Sequence, residues 1–223
     1  MSAFFGYDTE KDFEYENGFY LTSQPSRIAK LVTHYELYRM IADLPGQVIE
    51  CGVFRGASLI RLATFRDMLE NPASRRVIGF DTFGDFPQTD YLPDRKRRQL
   101  FLDETGGGGS IPVEDLRGFL AHKGLGNVEL VPGDLTLTAP EYLLKHPELK
   151  IAFLHIDTDI YEPAKAALDV FGPRMVRGGV IVFDDYGTFP GETKAADDFL
   201  AASGLKINKL RLSHHIPSYV VMP

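Results

Sequence analysis

The sequence predicts a doubly wound α/β fold, in which helices cover both faces of a mostly parallel sheet. Short runs of β-branched and aromatic residues alternate with longer stretches of helical spacing. The runs are continuously apolar, as in strands buried on both faces, and are bounded by glycine and proline. Four of them end in a carboxylate. Because ligands bind beyond the carboxyl ends of parallel strands, these acids locate a binding crevice.

The predicted strands are short and spread along the chain. In order they are Val48–Cys51, Arg75–Asp81, Val128–Pro132, Ile151–Ile156 and Val180–Asp184. The runs Ile207–Leu212 and Tyr219–Met222 predict a terminal hairpin. Adjacent residues of a hairpin point in opposite directions, so we assign His214 and His215 to its turn rather than to a site.

Helical spacing predicts the connecting elements. They are Ser26–Leu44, Ala57–Leu69, Val113–Lys123, Pro140–Lys145, Pro163–Phe171 and Lys194–Ala202. In the first of them, apolar residues recur on one side from Ile28 to Ile41, and Pro45-Gly46 ends the helix. Each helix follows a strand or precedes one, as the doubly wound arrangement requires.

The length of 223 residues fits one domain, with two segments outside the repeating pattern. Residues 1–25 are rich in aromatics and acids and lack helical or strand periodicity, which predicts an arm that covers the core or a site. Residues 84–112 form a long irregular insertion, which is typical of a lid. Its basic run, Arg95 to Arg98, is interpreted as a solvated helix face, with contact to an anionic substrate as the alternative.

Composition excludes several classes of protein. A net charge of −7 and a pI near 5.4 argue against a partner nucleic acid. No apolar stretch approaches the roughly 20 residues needed to cross a bilayer. The only cysteine, Cys51, cannot form an internal disulfide, which fits a reducing compartment. We therefore expect a cytoplasmic protein without a membrane partner.

The turn after the first strand, Glu50–Ser58, contains glycines that would let a cofactor approach the backbone closely. A tight strand–helix turn is the alternative interpretation, because the full G-x-G-x-x-G pattern is missing. Asp81 ends the second strand, where a carboxylate can bind the ribose of NAD or of S-adenosylmethionine. Gly133-Asp134 could meet an adenine amino group or form a plain turn.

The strongest indication of a functional site in the sequence is a group of four aspartates. Asp157, Asp159, Asp184 and Asp185 follow the fourth and fifth strands and would converge if those strands are neighbours. Converging carboxylates need a counter-charge, which Mg²⁺ or Ca²⁺ supplies through oxygen ligands. The absence of a nearby cysteine argues against zinc, and His155, inside the apolar run, is interpreted as a sheet histidine. Independent surface acids are the alternative.

Four motifs in this order resemble those of the macrocin O-methyltransferase family, which comprises class I, S-adenosylmethionine-dependent and Mg²⁺-dependent sugar O-methyltransferases. The motifs are Val48–Gly56, Phe80–Pro87, His155–Glu162 and Phe183–Gly187. Ala195–Phe199 resembles the helix after the family's fifth strand. The resemblance implies a Rossmann-like sheet of seven strands with the last antiparallel.

The resemblance also implies roles for individual residues. Those implied to surround the cofactor are Glu50, Gly52, Val53, Phe54, Arg55, Gly56, Ser58, Asp81, Thr82, Phe83, Gly133, Asp134 and Asp157. The implied Mg²⁺ ligands are Asp157, Asp184 and Asp185, and Asp159 is the implied general base. The implied acceptor is a sugar hydroxyl on a nucleotide-linked sugar, a glycoside or a glycan, and a homo-oligomer is compatible with the resemblance.

Thr158 and Ile160 stand where we expect glycine and leucine in the family, which bears on the shape of the acceptor pocket. A Mg²⁺-dependent methyltransferase of catechols or other phenols is one alternative. An NAD-linked oxidoreductase is another, although neither a glycine fingerprint nor a Tyr-x-x-x-Lys pair supports it. A non-catalytic module that binds S-adenosylmethionine is the third.

Overall fold

The computed structural model describes residues 3–212 and 217–223. The strands are β1 (Ala3–Phe4), β2 (Tyr7–Asp8), β3 (Gln47–Cys51), β4 (Val77–Asp81), β5 (Val128–Pro132), β6 (Ile151–Ile156), β7 (Met175–Phe183) and β8 (Ser218–Val221). The α-helices are α1 (Asp12–Thr22), α2 (Pro25–Arg39), α3 (Ala57–Leu69), α4 (Asp94–Thr105), α5 (Val113–His122), α6 (Leu135–Lys145), α7 (Tyr161–Phe171) and α8 (Pro190–Ser203).

The central sheet has the strand order β5-β4-β3-β6-β7-β8. Its first five strands are parallel and β8 runs antiparallel to β7, which confirms the predicted α/β sheet and its antiparallel end. Six strands form this sheet within the described ranges, so the expectation of seven is wrong. Of the run 207–212, only Asn208 pairs with Tyr219, as an isolated bridge. His214 and His215 lie outside the described residues.

The order of the strands places the switch in winding direction between β3 and β6. One apolar core lies between the sheet and α6, α7 and α8, and a second lies between the sheet and α2, α3 and α5. Alternate residues of each strand contribute to opposite cores, as the pleat requires; Val48 faces the second core and Ile49 the first. The carboxyl ends of β3 and β6 therefore open a crevice between the helical layers.

Two predicted irregular segments contain helices. Residues 1–25 hold the hairpin β1–β2 and helix α1, and residues 84–112 hold α4. None of the residues of α1 is buried, and in α4 only Asp94 is. Helical periodicity in a sequence records the burial of one side of a helix, so these two exposed helices left no such pattern. Gly106, at φ 71°, ends α4 in the left-handed conformation that glycine adopts readily.

Candidate active site

The loops after the parallel strands are aligned by backbone hydrogen bonds at the carboxyl edge of the sheet. Gly52 N–H donates to the carbonyl of Phe80, and Asp157 N–H donates to the carbonyl of Cys51, at 2.9 and 2.8 Å. Asp184 N–H donates in the same way to Ile156, at 2.9 Å. The acid-ended strands predicted from the sequence thus lie side by side at one edge.

A cleft of about 270 Å³ opens above this edge. The predicted cofactor and base residues that line it are Gly52, Phe54, Asp81, Thr82, Gly133, Asp134, Asp157 and Asp159. Gly52 has φ 91°, and a Cβ atom there would clash with the backbone carbonyl of Asp157. Only glycine therefore allows the loop after β3 to approach the loop after β6 so closely.

Asp81 holds the loop after β3 in place. Its Oδ2 accepts the N–H groups of Val53 and Phe54 at 2.8 and 2.9 Å, and its Oδ1 accepts that of Phe83 at 2.7 Å. Oδ2 therefore has both of its acceptor positions occupied, and the capacity for a further hydroxyl group lies on Oδ1, which the Thr82 hydroxyl approaches at 3.4 Å. The Asp134 carboxylate caps α6 by accepting the N–H of Thr136 at 2.9 Å.

The other predicted cofactor residues are not part of the cleft wall among the described residues. They are Glu50, Val53, Arg55, Gly56, Ser58 and Phe83. Arg55 is exposed, lies over the ring of Phe54 and donates to the carbonyl of Thr105 at 3.2 Å, so it links the turn to α4. Ser58 is buried near the start of α3, behind the loop.

Asp157, Asp184 and Asp185 each bring a carboxylate oxygen within 4.8 Å of the others. We call these three residues and Asp159 the acid cluster. Asp159, at φ 65°, hydrogen-bonds through its carboxyl group to that of Asp185, and only 9% of each residue is exposed. The four carboxylates predicted to converge therefore do so.

The electrostatics of the acid cluster are unbalanced. Burial, followed by repulsion from Asp184, raises the pKa of Asp157 and of Asp185 above the usual range. Burial and the carboxylate of Asp185 do the same to the pKa of Asp159. Asp184 is the exception: burial would raise its pKa, but Lys30 and His155 outweigh that effect and lower it. Three carboxylates in the cluster thus lack sufficient positive charge.

The structure supplies cations to Asp184 from two elements. Lys30, on α2, forms an ion pair with its Oδ2. His155 lies between Glu50 Oε1 and Asp184 Oδ1, at 3.1 and 3.2 Å. Burial opposes protonation of His155, but these two carboxylates together raise its pKa well above the usual value. His155 therefore acts as a buried, paired sheet histidine, as the sequence analysis interpreted it.

His34, on α2, also contacts Asp184, with Nε2 3.3 Å from Oδ1. Burial lowers its pKa to about 4, more than its hydrogen bond to Asp184 raises it. Glu50 Oε2 is buried without a hydrogen-bond partner within the described part of the chain. An orphaned carboxylate oxygen beneath the cleft is suited to an incoming amine or other donor.

The donor set fits a hard divalent cation. Asp157, Asp184 and Asp185 offer only carboxylate oxygens, which are the ligands that Mg²⁺ prefers. The raised pKa values of Asp157 and Asp185 reflect the missing positive charge that such a cation would supply.

Glu192 is fully buried and joins the two acidic loops, although the sequence analysis did not single it out. Its Oε2 accepts the N–H groups of Thr158 and Asp159, each at 3.2 Å, and its Oε1 accepts that of Asp185 at 2.9 Å. The sequence carried a signal for it: Pro190 followed by an acid in the first turn marks the start of a helix.

Lys30 and His34 were also missed, and they too had a signal. They occupy the row of α2 that continues as Leu37 and Ile41, at spacings of four and three residues, and those two side chains are buried in the core. Polar residues in line with a buried apolar row indicate a buried polar site at the end of that row.

The insertion 84–112 is tied to the site by two carboxylates, of which Asp94 is buried and Glu162 half-buried. Asp94, at the start of α4, accepts the N–H of Tyr161 at 2.9 Å and that of Gly191 at 2.6 Å, at the first turns of α7 and α8. A Cβ atom at Gly191 would clash with the Asp94 carboxylate. Glu162 accepts the N–H groups of Asp90 and Tyr91 at 2.9 and 3.0 Å.

The basic run in this insertion is engaged within the fold. Arg98 donates to the carbonyls of Pro87 and Phe86 at 2.6 and 2.9 Å, and Arg97 lies over the ring of Phe189 at 5.0 Å. Arg95 is exposed on α4. The solvated-face interpretation thus fits Arg95 and Lys96, which are exposed, but not Arg97 and Arg98, which are half-buried.

The parallel sheet with one antiparallel end strand, flanked by helices, is the Rossmann-like fold of class I methyltransferases. The sequence pattern of the Macrocin-O-methyltransferase (TylF) family matches residues 26–213, and the chain belongs to this family. The match confirms the resemblance seen in the four motifs.

Individual relatives agree with the family. A Streptomyces olivaceus enzyme, 8-demethyl-8-(2,3-dimethoxy-alpha-L-rhamnosyl)-tetracenomycin-C 4'-O-methyltransferase, is 31% identical over 156 residues, which are 68% of this chain and 58% of that enzyme. The chain thus spans less than two thirds of the length of this relative.

Solved methyltransferase structures have a similar fold. CalS11, a calicheamicin methyltransferase, has a TM-score of 0.80 and 29% identity, with 96% of this chain and 85% of that one covered. Its apo form, described as TDP-rhamnose 3'-O-methyltransferase, has a TM-score of 0.67 and 29% identity, with 96% and 86% covered.

The family match does not favour the NAD-linked oxidoreductase considered from the sequence, because the matching proteins are O-methyltransferases. No helix in residues 3–212 or 217–223 is long and apolar enough to cross a membrane.

Proposed function

We propose that this chain transfers the methyl group of S-adenosylmethionine to a sugar hydroxyl, in a reaction that depends on Mg²⁺. The acceptor is a nucleotide-linked sugar, a glycoside or a glycan. The observation that carries the proposal is the acid cluster of Asp157, Asp159, Asp184 and Asp185, of which Asp157 and Asp159 line the cleft together with Gly52. The named sugar O-methyltransferases among the relatives support the same class of acceptor.

Asp81, Thr82, Gly133 and Asp134 form the part of the cleft that would hold the nucleoside of the cofactor. The Asp81 carboxylate suits the ribose hydroxyls, because it already orders the neighbouring loops and retains acceptor capacity. The Gly52 turn and the orphaned Glu50 oxygen suit the methionine end. When bound there, S-adenosylmethionine supplies an electrophilic sulfonium methyl group.

Asp157, Asp184 and Asp185 would hold Mg²⁺, which, when bound, lowers the pKa of a hydroxyl group and orients it. Asp159 lines the cleft beside these residues and would accept the proton of the sugar hydroxyl as its oxygen attacks the methyl group. Glu192 fixes the backbone of Asp159 and Asp185, so the base and the ligands keep their relative positions.

The insertion 84–112 and the N-terminal arm would exclude water and select the acceptor. Phe86, Pro87, Thr89, Asp90 and Phe101 of the insertion already form one wall of the cleft. Because Phe86 and Phe101 are aromatic and lie 4.9 Å apart by ring centroids, a phenolic acceptor is the second candidate. A flat ring would stack on this wall, whereas a sugar would bind mainly through polar groups.

Two measurements test the proposal. Titration calorimetry should show binding of S-adenosylhomocysteine; absence of that heat together with binding of NAD would contradict a methyltransferase. A screen with labelled methyl donor should then show transfer to nucleotide sugars or glycosides, lost with EDTA and restored with Mg²⁺. Transfer to catechols alone would favour the phenolic candidate, turnover undiminished by chelator would remove the metal, and binding without any transfer would indicate a non-catalytic module.

A further inference from the structure

A row of basic side chains runs along α2 above the acid cluster. Arg27, Lys30 and His34 follow one another at intervals of three and four residues, so they lie along one side of the helix. Lys30 and His34 both contact Asp184. Arg27 therefore lies one helical turn beyond Lys30, toward the start of α2, where the row continues past the acid cluster into solvent.

Helix α3 brings a second arginine to this row. Tyr35 of α2 contacts Phe65 of α3, with ring centroids 5.4 Å apart. Both helices start at the carboxyl edge of the sheet, because α2 leads into the first residue of β3 and α3 follows its last. Arg61 lies one turn from Phe65 toward that edge. Arg27 lies two turns from Tyr35 in the same direction. The two arginines thus share the groove between the helices.

These arginines are not neutralised by the protein. Neither guanidinium group has a hydrogen bond or ion pair with any residue in the described ranges, although Arg61 is half-buried. Burial, then the proximity of Arg27, lowers the pKa of Arg61, while Asp184 and Glu50 act in the opposite direction. An arginine side chain stays protonated in proteins, so two positive charges remain side by side. In a chain of net charge −7, such a pair is suited to an anionic ligand.

We propose that Arg27 and Arg61 bind the phosphate groups of a nucleotide-linked sugar whose hydroxyl reaches the acid cluster. This inference rests on the proposed function and selects one of its three acceptor classes. Guanidinium groups match phosphate oxygens through paired N–H donors. The Arg27 end of the groove lies apart from the cofactor cleft: Gly52, Asp81 and Gly133 line the cleft at β3, β4 and β5, whereas α2 meets Asp184 after β7. Arg61 lies nearer to Glu50, so the test must distinguish phosphate from the carboxylate of the cofactor.

The test uses thymidine diphosphate as the probe, titrated calorimetrically into the full chain saturated with S-adenosylhomocysteine. Divalent cations are left out, so that a metal ion cannot bridge the probe to the acid cluster. We expect binding to the unmodified protein that weakens as salt rises, and about a tenfold loss of affinity for Arg27→Gln and for Arg61→Gln. The matched control is Arg117→Gln, an exposed arginine on α5 outside the insertion and the acid cluster, which should bind the probe as the unmodified protein does.

Affinity for S-adenosylhomocysteine shows whether each variant is folded. It also shows whether the arginines bind the phosphate of the acceptor or the carboxylate of the cofactor. Unchanged cofactor affinity with weakened probe binding supports the proposal. A loss of cofactor affinity instead would assign the arginines to the carboxylate of the cofactor and overturn it, as would equal probe binding in all variants. No probe binding to the unmodified protein, with transfer of methyl to a neutral glycoside, would overturn this inference and leave the proposed function standing. No binding of S-adenosylhomocysteine to that protein would overturn both.

Discussion

At the amino edge of the sheet, buried charged groups meet complementary partners, whereas at the carboxyl edge buried carboxylates face one another. Arg66 is fully buried and donates to the carbonyls of Arg75, Gly126 and Asn127 at 3.3, 2.7 and 3.0 Å. At the opposite edge, Asp157 and its neighbours have pKa values raised by burial and mutual repulsion. The same sheet thus has one edge arranged for stability and one arranged to hold a ligand.

Backbone strain follows the same division. At the carboxyl edge, Phe54, Phe83 and Asp159 have positive φ angles of 48°, 50° and 65°. At the amino edge, the non-glycine residue with a positive φ in the described ranges is Asn127, a residue type that adopts this conformation more readily than phenylalanine does. Strained non-glycine residues persist where surrounding contacts hold them, and here those contacts are with Asp81 and Glu192.

The largest effect should follow from Asp159→Asn at the carboxyl edge. The amide cannot accept the proton of the acceptor, so turnover should fall by roughly 10²–10⁴-fold. Affinity for S-adenosylhomocysteine should stay nearly unchanged, as measured by calorimetry. Asp169→Asn, an exposed pair with Lys165, is the matched control and should keep full turnover. Near-normal turnover of Asp159→Asn would remove this residue as the base.

At the amino edge, Arg75→Met should cost stability rather than chemistry. Arg75 donates to Glu70 at 2.9 Å and to the carbonyls of Gly46 and Leu44 at 3.1 and 2.8 Å. Its loss leaves a buried carboxylate unpaired, so the free energy of unfolding should fall by about 3–5 kcal/mol in urea denaturation. Arg39→Met removes the exposed ion pair with Glu36 and should change the free energy of unfolding by less than about 1 kcal/mol. Equal effects of the two variants would contradict the contrast between the edges.

A smaller effect is expected from Glu192→Gln, which keeps the size of the side chain. One of the N–H groups of Asp159 or Asp185 would then face an amide NH₂ group instead of an oxygen. Because the acidic loops lose their alignment, the affinity for Mg²⁺ should fall about tenfold, as measured by calorimetry without acceptor. Glu141→Gln, exposed on α6, is the control. Unchanged Mg²⁺ affinity would show that Glu192 is not needed to align the loops.

The smallest effect concerns Tyr142, whose hydroxyl donates to Glu129 at 2.9 Å. Burial, then Glu129, raises its pKa to about 12. The unfolded chain releases this proton near pH 10, so the stabilisation is complete below pH 10 and is lost as the pH rises toward 12. Tyr142→Phe should flatten that decline by on the order of 1 kcal/mol, since water screens part of the shift. Thermal melts across this range measure it; parallel curves for both proteins would contradict it.

Much of the fold could be predicted from the sequence because burial leaves periodic patterns. Ile151–Ile156 and Ala57–Leu69 have the bounds predicted, since both pack deeply into the core. Helices α1 and α4 could not be predicted, because neither buries an apolar side and so neither shows apolar residues at helical spacing. The run Ile207–Leu212, predicted as a hairpin strand and counted toward the seven strands of the resemblance, is represented among the described residues only by the bridge at Asn208.

The site residues that follow strands could be predicted from the sequence, whereas those that lie on helices could not. Asp157 and Asp184 follow neighbouring strands, so the sheet alone brings them together. Lys30 reaches the same place from a helix 154 residues away in sequence, and Glu192 from the helix that follows β7, so the approach of both depends on how those helices pack. Arg55 shows the converse: its motif position suggested the cofactor, but its side chain contacts α4.

The contact between Asp94 and Gly191 has a consequence for exchanging parts between relatives. Besides the contacts of Glu162, the insertion is fastened to the starts of α7 and α8 by the Asp94 carboxylate, which fits only because residue 191 has no side chain. A chimera that imports a foreign insertion with an acid at the position of Asp94 would need glycine at 191 in the recipient. We therefore expect that segment 84–112 can be exchanged between relatives only together with the start of α8, and not as the loop alone.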